Sequence, residues 1–171
     1  MAAPVVVAYT LWPTDWGWMG ALASETGLRR MTLPQPSREA AAALIEAGAS
    51  AAFPFPDLPQ RMRRYLQGAR EAFPYPLDLR TATIFQSAVW QATSAIPYGE
   101  TRSYAWIARA LGRPQAPRAV GQALGANPLP IVIPCHRVLA SDGALGGYGG
   151  GLALKRRLLA LEGAPLHPSV H

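Results

Sequence analysis

A chain of 171 residues has room for one domain or two small ones with a real core. Half of its residues are apolar and 15% are charged, which excludes a disordered chain, and no apolar run approaches the ~18 residues of a membrane span. The net charge of +6 is uneven: residues 1–76 carry seven basic and six acidic side chains (+1), residues 77–171 nine and four (+5). That asymmetry fits a polyanion meeting the C-terminal half, or an arginine-rich surface that only keeps the chain soluble. The single cysteine, Cys135, excludes an intramolecular disulfide framework and any multi-thiolate metal site. With no basic leader over Met1 to Trp12, the expected setting is the reducing cytoplasm.

In chain order, Val5 to Leu11, Gly17 to Ser24 and Gly27 to Leu33 read as short strands, with Thr26-Gly27 as a hairpin turn. Trp12, Trp16 and Trp18 cluster there and serve either hairpin packing or an aromatic stacking surface. Ser37 is placed to cap an alanine-rich helix that runs to about Ala47 and stops at Gly48. The prolines from Phe53 to Pro59 make an extended connector, and Asp57 is placed to cap a short helix to about Gln67. Phe73-Pro74-Tyr75-Pro76 precedes the charge shift and marks the expected domain boundary. Nothing in the first domain names a chemistry.

Beyond that boundary Ile84, Val89 and Trp90 fall at helical spacing, giving a buried helix over Thr83 to Ala95 that ends in the turn Ile96-Pro97-Tyr98-Gly99. Ser103 caps a helix from Tyr104 to Leu111, and a second runs from about Ala116 to Leu124 after a turn holding Gly112 and Pro114. Two short helices so joined outline a helix-turn-helix. The second is made of small residues (Ala116, Ala119, Gly121, Ala123), a slim face that suits either close helix packing or close approach to another surface. Arg118 sits in its first turn, where the positive end of the helix disfavours a cation unless an anionic partner is present.

Asn127-Pro128-Leu129-Pro130 is a turn, and Ile131-Val132-Ile133 reads as a short buried strand. Pro134 should end it and present Cys135 at its mouth, with His136 next in sequence. On residue type alone Cys135 is either a small buried hydrophobe or a nucleophile activated by its neighbour. Ser141-Asp142-Gly143 is a further turn, and the glycine-rich Gly146 to Gly151 lacks a P-loop ending but lets backbone close over a flat ligand. Leu152 to Glu162 reads as an amphipathic helix with Lys155, Arg156 and Arg157 on its exposed side. Glu162 opposes the macrodipole in the last turn, which an imidazole partner would explain. The tail from Ala164 is expected to fray, which removes His167 and His171 as ligands or bases.

From Phe85 to Gly163 the chain resembles the O6-alkylguanine-DNA alkyltransferases, the methylated-DNA–protein-cysteine methyltransferases. The resemblance lies in Ile96-Pro97-Tyr98-Gly99-Glu100-Thr101, Arg118-Ala119-Val120-Gly121, Asn127-Pro128, Ile133-Pro134-Cys135-His136-Arg137-Val138 and Leu158-Leu159-Ala160-Leu161-Glu162-Gly163, in the family's order. It implies an α+β fold: an α/β structural domain over residues 1–76 with a small antiparallel sheet, ribonuclease-H-like, and a mainly helical DNA-binding and alkyl-acceptor domain over residues 77–171 with the helix-turn-helix. It also implies irreversible transfer of the alkyl group from O6-alkylguanine, and of O4-alkylthymine as a further candidate, in double-stranded DNA to the protein's own cysteine. A thioether does not hydrolyse, so each molecule reacts once.

By the same resemblance Cys135 is the nucleophile, and His136 its base through a water. Glu162 fixes the imidazole, Asn127 braces the turn and Tyr104 donates to the purine. Arg118 resembles the arginine that fills the stack after the base is flipped, an extrusion costing a few kcal/mol. Ala119, Gly121, Tyr104 and Arg137 are the other expected DNA contacts, in the minor groove. Leu124, Pro130, Val138, Tyr148, Gly149 and Gly150 are expected to line the substrate pocket. Gly149 stands where some relatives carry serine, and Leu161 where a histidine is common. The zinc-ligand cysteines of some relatives are absent, so neither metal nor cofactor is expected, and a monomer without membrane contact is. Two other functions fit less of the sequence: a lesion binder that performs no transfer, and a Cys-His hydrolase.

Overall fold

The computed structural model describes residues 7–47 and 52–167 and divides into two compact units, Met1–Arg80 and Thr81–His171. In the first, β1 (Val7–Thr14), β2 (Gly17–Ser24) and β3 (Leu28–Met31) form an antiparallel sheet in that order. The β1–β2 register is unbroken from Val7 opposite Ser24 to Thr14 opposite Gly17, so β1 runs past Leu11 and through Pro13. It is an edge strand, where a missing N–H is tolerated. Trp12 is buried in packing. Val5, Val6 and Gly48 lie outside the described residues.

Helix α1 (Arg38–Ile45) lays Ala41 and Ile45 against β2, and Ser37 caps it by accepting the Ala40 N–H at 3.1 Å. It stops at Glu46, which takes the left-handed conformation (φ 53°). Asp57 precedes α2 (Leu58–Leu66) but makes no side-chain cap; its carboxylate accepts from Arg61 Nε at 2.8 Å instead, the pairing expected one turn apart.

The second unit opens with α3 (Ile84–Ser94), whose capping box joins Thr83 and Gln86 in both directions. There follow β4 (Arg102–Ser103), α4 (Tyr104–Ala110) capped by Ser103, and α5 (Pro117–Gly125) entered through Pro117. The three helices pack on one another, and Trp90 Nε1 donates to the Ala123 carbonyl at 2.8 Å. A single 3-10 turn, Cys135–Arg137, leads into β5 (Val138–Leu139), which pairs in parallel with β4 before α6 (Leu152–Leu161) closes the unit. The architecture is therefore mixed, six helices and two small sheets among the described residues, none of those helices long and apolar enough to cross a membrane.

Three expectations need correction. Ile131-Val132-Ile133 is not a strand: Ile131 sits at φ 74° and the segment turns, leaving only a bridge between Pro130 and Ile133. Prolines at both ends remove two ladder donors, and the Ile133 carbonyl is taken by the Asn127 side chain. The short strand lies after the cysteine rather than before it. Lys155 is fully buried, while Arg156 and Arg157 are exposed as expected. The tail through His167 is docked, with Thr101 Oγ1 donating to the His167 carbonyl at 3.1 Å.

Candidate active site

The turn carrying Cys135 is held from within its own sequence. Asn127 uses its whole amide: Oδ1 accepts the Leu129 N–H at 2.9 Å, and Nδ2 donates to the Ile133 carbonyl at 2.9 Å and to Cys135 Sγ at 3.2 Å. The Pro134 carbonyl then receives the Arg137 N–H at 3.0 Å, which curls Cys135, His136 and Arg137 into the 3-10 turn. One side chain thus sets the bend and donates to the sulfur. Burial pushes the Cys135 thiol up, opposed by the Asn127 hydrogen bond and by the charge of Lys155. Burial thus favours the neutral thiol, while Asn127 and Lys155 favour the thiolate.

His136 follows in the turn, fully buried, with Nε2 2.8 Å from Glu162 Oε1. Glu162 caps the C-terminal end of α6, where the helix disfavours an anion. Burial opposes its charge, yet hydrogen bonds from His136 and Arg137 hold the carboxyl well below the usual carboxylate range. Arg137 grips it with two donors, Nε to Oε2 at 2.9 Å and Nη2 to Oε1 at 2.8 Å, while Nη1 donates to the Ile96 carbonyl at 2.7 Å. Gly99 N–H reaches Oε2 at 3.4 Å, and the Arg137 guanidinium lies 5.8 Å from the Tyr98 ring centroid. The Ile96-Pro97-Tyr98-Gly99 turn is thus the cradle of the Glu162–Arg137 pair.

This fixes the imidazole's protonation. An ionised carboxylate only accepts, so Nε2 carries the proton and Nδ1 is left as the basic nitrogen. Burial lowers the His136 pKa, although Glu162 pulls it the other way, so the ring rests neutral and can take a proton. The Arg137 guanidinium, expected as a DNA contact, is bonded to Glu162 and Ile96 with its side chain only 12% exposed, an arrangement that clamps the carboxylate.

Sγ faces a cleft of about 730 Å3. Of the residues singled out in the sequence, Cys135, Tyr104, Arg118, Gly121, Leu124, Tyr148 and Gly149 line it. Asn127 bonds the sulfur and His136 bonds Glu162, none of the three being in the lining. Ala119, Pro130, Val138 and Gly150 are not in the lining. Val138 is fully buried in β5. Pro117, Gln122, Gly125, Gly146 and Gly147 line the cleft and were not singled out as pocket residues. Gly146 is required there: its φ of 68° is left-handed, and a Cβ would overlap the Tyr104 hydroxyl. Burial raises the Tyr104 and Tyr148 phenols, with Cys135 adding to both, so each remains a neutral donor at ordinary pH. Arg118 is exposed at the rim, on the first turn of α5.

A family model described as the DNA-binding domain of 6-O-methylguanine DNA methyltransferase matches residues 84–164. A methylated-DNA–protein-cysteine methyltransferase of Mycolicibacterium paratuberculosis is 53% identical over 103 residues, covering 60% of this chain and 62% of the relative. The crystal structure of the Mycobacterium tuberculosis O6-methylguanine methyltransferase superposes with a TM-score of 0.77 at 38% identity, over 94% of this chain and 96% of that one. The chain belongs to the methylated-DNA–protein-cysteine methyltransferase family. The family's inducible Bacillus subtilis member is 50% identical over 99 residues, 58% of this chain and 55% of the relative, so the alignments span about three fifths of these curated relatives' length. Another family structure, of the Mycobacterium tuberculosis protein in complex with DNA, superposes with a TM-score of 0.76 at 38% identity over 93% of this chain and 96% of that one.

Proposed function

We propose that the protein removes the alkyl group from O6-alkylguanine in duplex DNA and keeps it on Cys135, once per molecule. The observation that carries this reading is the sulfur itself, which opens on a cleft of base-accommodating size with a hydrogen-bonded brace at 3.2 Å and a neutral imidazole paired to an ionised carboxylate behind it.

The steps follow from the protonation states. The Cys135 proton passes to Nδ1 of His136, relayed by a water as the family resemblance implies. The imidazolium is stabilised by Glu162 at 2.8 Å. The sulfur attacks the alkyl carbon in line, an S–C bond forms and the C–O6 bond breaks, and the guanine leaves with its electron pair. A donor then lowers the barrier by meeting the growing charge on the purine. Tyr104, a neutral phenol on the cleft wall, fills that role. The product is a thioether, with no water-labile bond, so nothing restores the thiol.

The duplex is met by the Thr81–His171 unit, in which α4 and α5 form the helix-turn-helix and the slim face of α5 enters the minor groove. Arg118, exposed at the cleft rim, occupies the stack that the flipped nucleotide vacates. No base code is needed for a lesion that can occur anywhere, so backbone contacts carry the binding and salt weakens it. The Met1–Arg80 unit is a structural domain of ribonuclease-H-like type. Digestion of a duplex carrying one O6-methylguanine tests the transfer: the wild type restores guanine in proportion to protein, and Cys135→Ser binds the duplex but leaves the lesion. Restoration by Cys135→Ser would overturn the assignment.

A further inference from the structure

The segment that follows α6 lines no part of the cleft, yet it is tied to the elements that carry the site. Past Glu162 the chain turns at Gly163 (φ 64°), and the Ala164 N–H returns to the Leu159 carbonyl at 2.9 Å. Ala164 packs against Leu139 of β5, Leu145 and Leu159, and Leu145 directly precedes Gly146 on the cleft wall. Thr101 is fully buried, and its hydroxyl donates to the carbonyls of His167 at 3.1 Å and Pro165 at 3.4 Å. Gly143 is an independent sign of the same docking. Its φ of 85° is left-handed, and a Cβ there would stand 2.7 Å from His167 Nδ1 and 2.8 Å from the Leu166 carbonyl. The loop after β5, closed by the Ala140 N–H on the Ala144 carbonyl at 2.8 Å, is thus bare where the segment lies on it.

These contacts continue the ones that hold Glu162. The Tyr98 hydroxyl donates to the Leu161 carbonyl at 3.3 Å, the Gly99 N–H to Glu162 Oε2 at 3.4 Å, and the Thr101 hydroxyl to the two carbonyls beyond. Three successive rungs therefore join residues 98–101 to residues 161–167, and the shortest of them is the outermost. Thr101 leads directly into β4, which pairs with β5, and Ser103 of β4 caps the helix that opens with Tyr104. One buried hydroxyl thus stands between the cradle of Glu162 and the phenol on the cleft wall. Through the Arg102–Val138 and Ser103–Leu139 pairs it also bears on the strand that leaves the Cys135 turn.

We propose that residues 164–167 act as a strap and Thr101 as the positioning residue it holds, together keeping the Glu162 cradle and the start of the Tyr104 helix in the geometry that transfer needs. This deepens the transfer reading and rests on it. With the strap docked, residues 98–101 are fixed at both ends. With it released, only the Tyr98 and Gly99 contacts remain, both longer than the Thr101–His167 bond. Pro165, Leu166 and His167 are exposed, so the strap opens locally at less cost than the core beneath it. Neither the strap nor Thr101 touches the cleft, so the effect falls on the transfer step and leaves duplex binding alone.

Three variants test this against the wild type. Thr101→Val keeps the shape and removes the hydroxyl, Thr101→Ser keeps the hydroxyl, and a chain ending at Ala164 removes both acceptor carbonyls while leaving Thr101 intact. Each is measured well below its unfolding temperature for single-turnover methyl transfer from a saturating O6-methylguanine duplex, for duplex affinity, and for amide hydrogen exchange over residues 98–104. Thr101→Val and the shortened chain should transfer about tenfold or more slowly with duplex affinity retained, since a small misplacement costs up to about 10²-fold. Their exchange over residues 98–104 should rise while that of the Met1–Arg80 unit stays as it was, and Thr101→Ser should restore the rate. A folded Thr101→Val or shortened chain with the wild-type rate overturns the proposal, and so does a slowing that Thr101→Ser shares in full. Should Thr101→Val not fold, the shortened chain decides alone. If the wild type leaves the lesion intact while exchange over residues 98–104 still rises in the variants, the transfer reading fails and the strap stands.

Discussion

Replacing Arg137 by methionine separates a carboxylate clamp from a DNA contact. The guanidinium gives Glu162 two hydrogen bonds and ties it to the Ile96 carbonyl. Glu162 has a fully buried side chain, so the variant leaves an ion with His136 and the longer Gly99 contact as its described donors. Removing one partner of a buried ion pair costs about 3–5 kcal/mol, and the surviving donors put this case near the lower end. For a chain of this length a loss of about 3 kcal/mol lowers Tm by about 6–12 °C. The pH dependence has a definite sign. Glu162 is depressed in the folded state, so its contribution is present above the unfolded value of about 4.3 and is lost as pH falls through the folded value. The gap between wild type and variant should be full at pH 7 and narrow as the medium is acidified below about pH 4. Urea unfolding at both pH values reads it, with duplex binding measured against salt in parallel. An unchanged stability, together with a salt slope shallower by about 0.9, would make Arg137 a phosphate ligand and refute the clamp.

Asn127→Ala removes the brace and the donor to sulfur together, leaving the Ile133 carbonyl and the Leu129 N–H without that partner; chemical denaturation should show a loss of about 1–3 kcal/mol, and iodoacetamide titration a thiol shifted further up. Glu162→Gln keeps the shape but no longer holds the imidazole as an acceptor-only partner, and single-turnover transfer should slow by about 10²–10⁴-fold with duplex affinity kept. Gly146→Ala forces a side chain into a left-handed position and onto the Tyr104 hydroxyl, costing about 1–2 kcal/mol in thermal unfolding and slowing transfer through the displaced phenol.

Local signals in the sequence were sufficient for two of the three expected helix caps, because a cap is a contact between near neighbours. Ser37 and Ser103 each accept the N–H three residues on, as their types and positions predict, whereas Asp57 pairs with Arg61 instead, and the capping box at Thr83 was not anticipated. Cys135, Asn127, His136 and Glu162 were legible as a group through the family motifs. The Ile131 turn was not, because a β-branched residue at φ 74° runs against its own preference and is held there by the Asn127 network. Arg137 was read as a DNA ligand because its sequence neighbours say nothing of a carboxylate that arrives from α6. Lys155 was placed outside by its charge, although it stands three and four residues before the buried Leu158 and Leu159, on their face of the helix. Periodicity had marked it, and the carbonyls that make its burial tolerable belong to tertiary structure.

The most direct test of the central claim is the intact mass and peptide map of the protein after incubation with an excess of O6-methylguanine duplex. The account predicts a plateau at one methyl group per molecule, carried on Cys135. Lesion loss continuing beyond the amount of protein, or an unmodified Cys135 in protein that still binds the duplex, would contradict it.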